Sequence, residues 1–104
     1  MIKIEKYTNL EEAFDKNMSR DVGHVLIRHS YKKGTKIQPH THINSDEFVI
    51  CSKGHFKISS EGDKREFELN GKNIVVIHYP AGREHALEVL SEKLDYFVLR
   101  APKK

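Results

Sequence analysis

Residues 55–79 read HFKISSEGDKREFELNGKNIVVIHY. Aromatic and β-branched side chains gather in the runs HFKIS, REFEL and NIVVIHY, while the connecting EGDK and LNGKN carry the glycine, asparagine and acidic residues of tight turns. Strands joined by hairpins are the expectation. Outward from this stretch the same texture continues, with HVLIRHSY at 24–31, EFVICS at 47–52, HALEVL at 85–90 and LDYFVLR at 94–100. No helical stretch separates these runs. That excludes a parallel sheet with helical crossovers and predicts an all-β antiparallel sandwich or barrel.

Only the beginning of the chain departs from this pattern. MIKIEKY alternates as a strand would. In TNLEEAFDKN, Thr8 precedes Glu11 by three residues, as in a capping box, and Leu10, Ala13 and Phe14 share one helical stripe, so a short helix is expected. A length of 104 residues fits a single domain over 1–104, with a strand and helix segment at 1–23 ahead of a barrel at 24–100. A chain of that size can bury roughly two thirds of its unfolded surface.

Composition narrows the function classes. Hydrophobic residues make up 38% and charged residues 32%, a globular balance with no apolar run long enough to span a bilayer, so no membrane partner is expected. The net charge of +3 comes from 18 basic and 15 acidic residues spread along the chain, with RAPKK the only basic cluster. That is a poor footprint for nucleic acid, whose binders gather cations on one face. The single Cys51 rules out an internal disulfide, gives no support to a cysteine-based zinc site, and suits a reducing compartment. MIKIEKYTNLEE, charged from its third residue, does not read as a signal peptide, so a cytoplasmic location is expected.

Chemistry concentrates in QPHTHINSDEF, residues 38–48. On a strand, His40 and His42 project to the same side and can close on one ion. Glu47 opens the next strand and can bring a carboxylate to the same point. His85 follows the turn made by Pro80 and Gly82 in PAGREH, which delivers it to the start of another strand. Three neutral imidazoles and a carboxylate suit one divalent transition metal ion per chain, whether iron, manganese, nickel, copper or zinc, and leave coordination positions open. The remaining histidines, His24, His29, His55 and His78, read as solvated or structural, although His29 and His78 sit in strands that can line a pocket. Cys51 shares the inward face with Glu47 and Val49 and reads as core filler. Arg28, Tyr31, Tyr79, Tyr96 and Arg100 are polar-tipped residues within strands, and an arginine among them would suit a carboxylate or phosphate.

These residues also carry a family resemblance. Gly34, five residues, His40, Thr41, His42, four residues, Glu47, six residues and Gly54 together resemble the first cupin motif without deviation in spacing. Pro80, Gly82 and His85 resemble the core of the second, with Ile74 and Val89 standing where that motif often has glycine and asparagine. The resemblance implies a double-stranded β-helix, or jelly-roll, barrel with a metal in its mouth held by His40, His42, Glu47 and His85. It further implies a metal-dependent enzyme acting on a small oxygen-rich metabolite, anions included, as a dioxygenase or as an isomerase or lyase. The alternative is a non-catalytic module that binds a metal or small ligand. Isomerase or lyase chemistry needs an acid or base beside the metal, for which Tyr31, Tyr79, His29 and His78 are available, whereas dioxygenase chemistry can rest on the metal and Glu47. Barrels of this kind are often homodimers, and MIKIEKY can add to a sheet edge.

Overall fold

The computed structural model describes residues 3–17 and 25–102. They form β1 (Lys3–Tyr7), α1 (Leu10–Asn17), β2 (Val25–Lys32), β3 (Lys36–His40), β4 (Ser45–Ser60), β5 (Asp63–Tyr79), β6 (His85–Val89) and β7 (Lys93–Pro102). Every strand pairing is antiparallel. His24, the first residue of one expected strand, lies outside the described residues. Among the described residues no helix is long and apolar enough to cross a membrane.

The helix starts one residue later than the capping-box reading placed it. Asn9 is the cap: its Oδ1 accepts the Glu12 N–H at 2.8 Å, while Thr8 Oγ1 donates to the Glu12 carboxylate at 3.1 Å. Both short side chains serve the same end of the helix.

Two expected hairpins had different fates. EGDK makes one, with Glu61 at φ 48° and Gly62 at φ 88°, the left-handed pair of a primed turn that matches the twist of its strands. LNGKN does not. REFEL and NIVVIHY belong to one strand, β5, and EFVICS and HFKIS to another, β4. Their shared register shifts where Cys51 pairs Val75 but Lys53 pairs Asn70, so two steps along β4 face five along β5. The surplus residues bulge, and the Asn70 side chain accepts the Lys72 N–H at 3.0 Å to hold the bend. Turn chemistry here bends a strand without reversing it.

That bend lets β4 and β5 serve both sides of one seven-stranded sheet closed into a barrel. Residues 45–51 of β4 pair with the end of β5 and with β7, while residues 56–59 pair with β6. Gly54 sits at the corner with φ 135°, and a Cβ there would come within 2.5 Å of Leu94 Cδ1. Only glycine fits.

Alternation along the bent strands builds two cores. Inward residues, among them Val49, Phe56, Ile77, Leu94 and Val98, fill the barrel. Outward residues Ile50, Val76 and Leu99 form a second cluster with Tyr7 and with Ala13 of α1, which explains why these strands read as nearly continuous apolar runs. Filling one end of the barrel with apolar side chains leaves the other end for polar groups.

Candidate metal centre

Four side chains meet at that other end. His40 closes β3, His85 opens β6, and the two are directly opposite in register. Glu47, in β4, stands opposite Tyr79 of β5 on one side and Arg100 of β7 on the other. His42 lies in the loop after β3, which is fastened to the Pro80–Gly82 turn by the Gly82 N–H donating to the His42 carbonyl at 2.9 Å. One ligand atom from each of His40, His42, Glu47 and His85 lies within 4.8 Å of all the others. Thus the four residues expected to meet do so.

Hydrogen bonding orients the rings. Nδ1 of His40 is 2.9 Å from the Gln38 carbonyl, and Nδ1 of His85 is 3.2 Å from the Arg83 carbonyl. A carbonyl only accepts, so in each case Nδ1 carries the proton and Nε2 of the neutral ring carries the lone pair. Tyr79 stacks on His85 with centroids 4.3 Å apart at 12° and restrains that ring further. Such backing of a histidine is the usual support for a metal ligand.

The carboxylate tests whether a cation fits. Glu47 Oε2 is 2.8 Å from His85 Nε2, and Oε1 is 3.4 Å from His42 Nε2. Neither nitrogen, though buried, has the alignment of a hydrogen bond to any partner. Lone pairs of oxygen and nitrogen converge at distances near the ~3.0 Å edge of a coordination shell with ~2.1 Å bonds. A positive centre between them removes the repulsion, so the donor set fits a divalent metal. Glu47 and His85 are 5% and 6% exposed, and leaving a buried imidazole nitrogen without a partner is costly.

Protonation states agree with this. Burial pushes the Glu47 carboxyl up, but His85, Arg100 and His42 around it prevail and hold it below the ordinary carboxylate range. For His42, burial lowers the imidazole pKa, with Arg100, His40 and His85 adding to the effect and Glu47 opposing it. Carboxylate and neutral imidazole are the ligating forms.

A cavity of about 200 Å³ opens beside the cluster, bounded by His40, Glu47 and His85 and by Tyr79, Tyr96 and Arg100. Its far wall carries His29 and Tyr31, whose Nδ1 and hydroxyl are 3.0 Å apart. Of the acid-base candidates, Tyr31, Tyr79 and His29 therefore border the site. His78 does not, because it lies on the opposite face of β5 from Tyr79, stacked on Phe48 at 4.4 Å with its Nε2 3.3 Å from Asp46. Cys51 packs in the barrel core, its thiol pKa raised by burial. Arg28 is exposed beside Asp95, and His55 pairs with Glu66 at 2.7 Å, both away from the cluster.

Asp46 escaped the sequence reading. Its Oδ1 accepts the Ala81 N–H at 2.8 Å, tying the turn that carries His85 to the strand that carries Glu47. The adjacent pair Asp46–Glu47 was a weak signal, since neighbours on a strand face opposite ways and one of them must serve something other than the metal.

The chain has the double-stranded β-helix fold of the cupin superfamily. Among solved structures it is similar to KdgF from Halomonas sp., at 22% identity and TM-score 0.64 over 78% of this chain and 71% of that one. It is similar as well to an RmlC-like cupin family protein from Methanocaldococcus jannaschii, at 17% identity and TM-score 0.63 over 76% and 70%. A predicted oxalate decarboxylase from Thermotoga maritima aligns at 16% identity and TM-score 0.65 over 95% and 80%. No family model matches the chain, and no curated protein matches it significantly.

Proposed function

We propose that this chain binds one divalent transition metal ion through His40, His42, Glu47 and His85 and is a metal-dependent enzyme for a small oxygen-rich metabolite. The observation that carries this reading is the convergence of four ligand atoms within 4.8 Å, two of them buried imidazole nitrogens with no hydrogen-bond partner. When bound, the metal supplies Lewis-acid polarisation of a substrate oxygen or, where redox-active, chemistry with dioxygen.

The chain's own residues supply the rest. Gln38 and Arg83 hold the two rings through their carbonyls. Arg100 pairs with Glu47 at the cavity wall, with Nε 3.3 Å from Oε1. The apolar barrel below the cluster keeps water out of one side. The Tyr31 hydroxyl and His29 Nδ1 lie within hydrogen-bond distance, 3.0 Å, at the cavity wall, a position from which such a pair can give or take the proton that isomerase or lyase chemistry asks for. A dioxygenase needs less from the wall. The presence of this pair in the cavity supports an enzyme over a non-catalytic binding module.

Cobalt(II)-substituted protein titrated with small hydroxy and oxo acids and sugars tests the reading. A change in the visible spectrum together with product formation supports an enzyme, and turnover that persists without dioxygen selects isomerase or lyase over dioxygenase. Spectral change without product for any of them is the result that favours the binding module. A cytoplasmic homodimer working without nucleic acid or membrane completes the reading, supported by the single cysteine and by β1, which pairs only with β5 among the described residues.

A further inference from the structure

The cavity beside the metal cluster has an asymmetric charge. Among the described residues on its wall, Arg100 is the only permanently charged cation and Glu47 the only acid. Three neutral imidazoles, one carboxylate, one guanidinium and a divalent ion sum to two net positive charges, which no other lining residue offsets.

Arg100 also has donors that no described residue takes up. Its contact with Glu47 runs through Nε alone, at 3.3 Å, and it makes no other ion pair or hydrogen bond to a described residue. A guanidinium has five N–H donors in a fixed fork, so the four on its terminal nitrogens remain. The side chain is 34% exposed, against 7% for the Glu47 it touches, and it lines the cavity. A residue needed only to balance Glu47 would not require that exposure or that fork. Planar, paired donors are the geometry that holds a carboxylate.

The other wall residues define the size and remaining chemistry of the ligand. About 200 Å³ equals roughly seven waters at ~30 Å³ each, room for a few carbons with their oxygens. Ile37, Val49 and Leu87 give it an apolar floor, and Tyr31, Tyr79 and Tyr96 offer phenol groups.

Resting on the metal reading above, we infer that the substrate is a small carboxylate of up to two negative charges, with one anionic group on the terminal nitrogens of Arg100 and a second oxygen directed at the metal cluster. Arg100 is thereby the residue that selects acids over neutral or cationic analogues.

The test uses zinc-loaded full-length protein and two probes of equal shape, malonate and its uncharged diamide, malonamide, titrated by calorimetry. Malonate should bind at least tenfold more tightly than malonamide. Arg100→Gln should remove that preference, and Arg100→Lys should restore part of it, with zinc content measured in each variant. Equal affinity for the two probes, absent malonate binding in the millimolar range, or unchanged malonate affinity per loaded site in Arg100→Gln overturns the inference. Should the parent protein hold no metal, the metal reading fails alone. The same titrations on metal-free protein then decide whether malonate binding depends on Arg100.

Discussion

His40 and His85 face each other in register across β3 and β6, and each ring donates its Nδ1 proton to the carbonyl two residues before it, Gln38 and Arg83. The two halves of the site thus orient their imidazoles by the same local device. Because the acceptors are backbone atoms, no side-chain substitution removes them, and the orientation depends on the turns that shape residues 38–40 and 83–85.

Asp46 is where that dependence can be tested. Asp46→Ala deprives the buried-side Ala81 N–H of its acceptor and loosens the turn ahead of His85. Metal affinity should fall about 10- to 100-fold, the usual effect of losing a group that supports a ligand, at a stability cost of about 1–2 kcal/mol. Competition against a chelator and urea unfolding separate the two. A stability loss with unchanged affinity would show that Asp46 only holds the fold.

Gly54 should tolerate no side chain. Gly54→Ala places a methyl 2.5 Å from Leu94 Cδ1 at a φ of 135°, and Leu94 is itself buried and cannot retreat. A loss of roughly 2–4 kcal/mol by urea denaturation is expected, overpacking and backbone strain adding together. A neutral substitution would mean that β4 does not bend there.

Alkaline pH should unfold the protein through its phenols. Burial raises the Tyr79 hydroxyl above the ordinary phenol value of about 10, with Glu47 adding to it, and burial does the same for Tyr96, with Tyr31 and Glu47 adding to it. A group whose folded pKa is raised contributes stability that is complete below its unfolded pKa and is lost as pH rises toward the folded value. Stability should therefore hold to about pH 10 and decline above it. Tyrosinate absorbance followed alongside circular dichroism, with Tyr79→Phe and Tyr96→Phe for assignment, should show Tyr79 and Tyr96 ionising only with unfolding. Tyr79 and Tyr96 ionising near pH 10 in folded protein would contradict their burial.

Much of this architecture was legible because its signals are periodic. His40, His42, Glu47 and His85 could be grouped by residue type and motif spacing, although β3 ends at His40 and His42 meets the others from the loop, not from the strand on which the two-residue spacing had placed it. The strand runs were legible for the same reason. Continuity was not: Gly54 and Asn70–Gly71 have the chemistry of turns, and only the pairing of β4 with β5 shows that they bend a strand already committed to a partner. Facing was the other gap. His78 and Tyr79 are adjacent, and only the register opposite Phe48 and Glu47 puts the tyrosine in the cavity and the histidine outside it. Asp46 stayed hidden because its partner lies 35 residues away in a turn, a contact without sequence periodicity.

The central claim is that PHTH, Glu47 and His85 form a metal cradle, and metal content tests it most directly. Protein purified without added metal and without a chelating tag should carry about one equivalent of a divalent transition metal, while His42→Ala, folded by circular dichroism, should carry little. Metal absent from both proteins, and still absent after reconstitution with iron, manganese, nickel, copper and zinc in turn, would contradict the account and leave a barrel that binds its ligand without a metal.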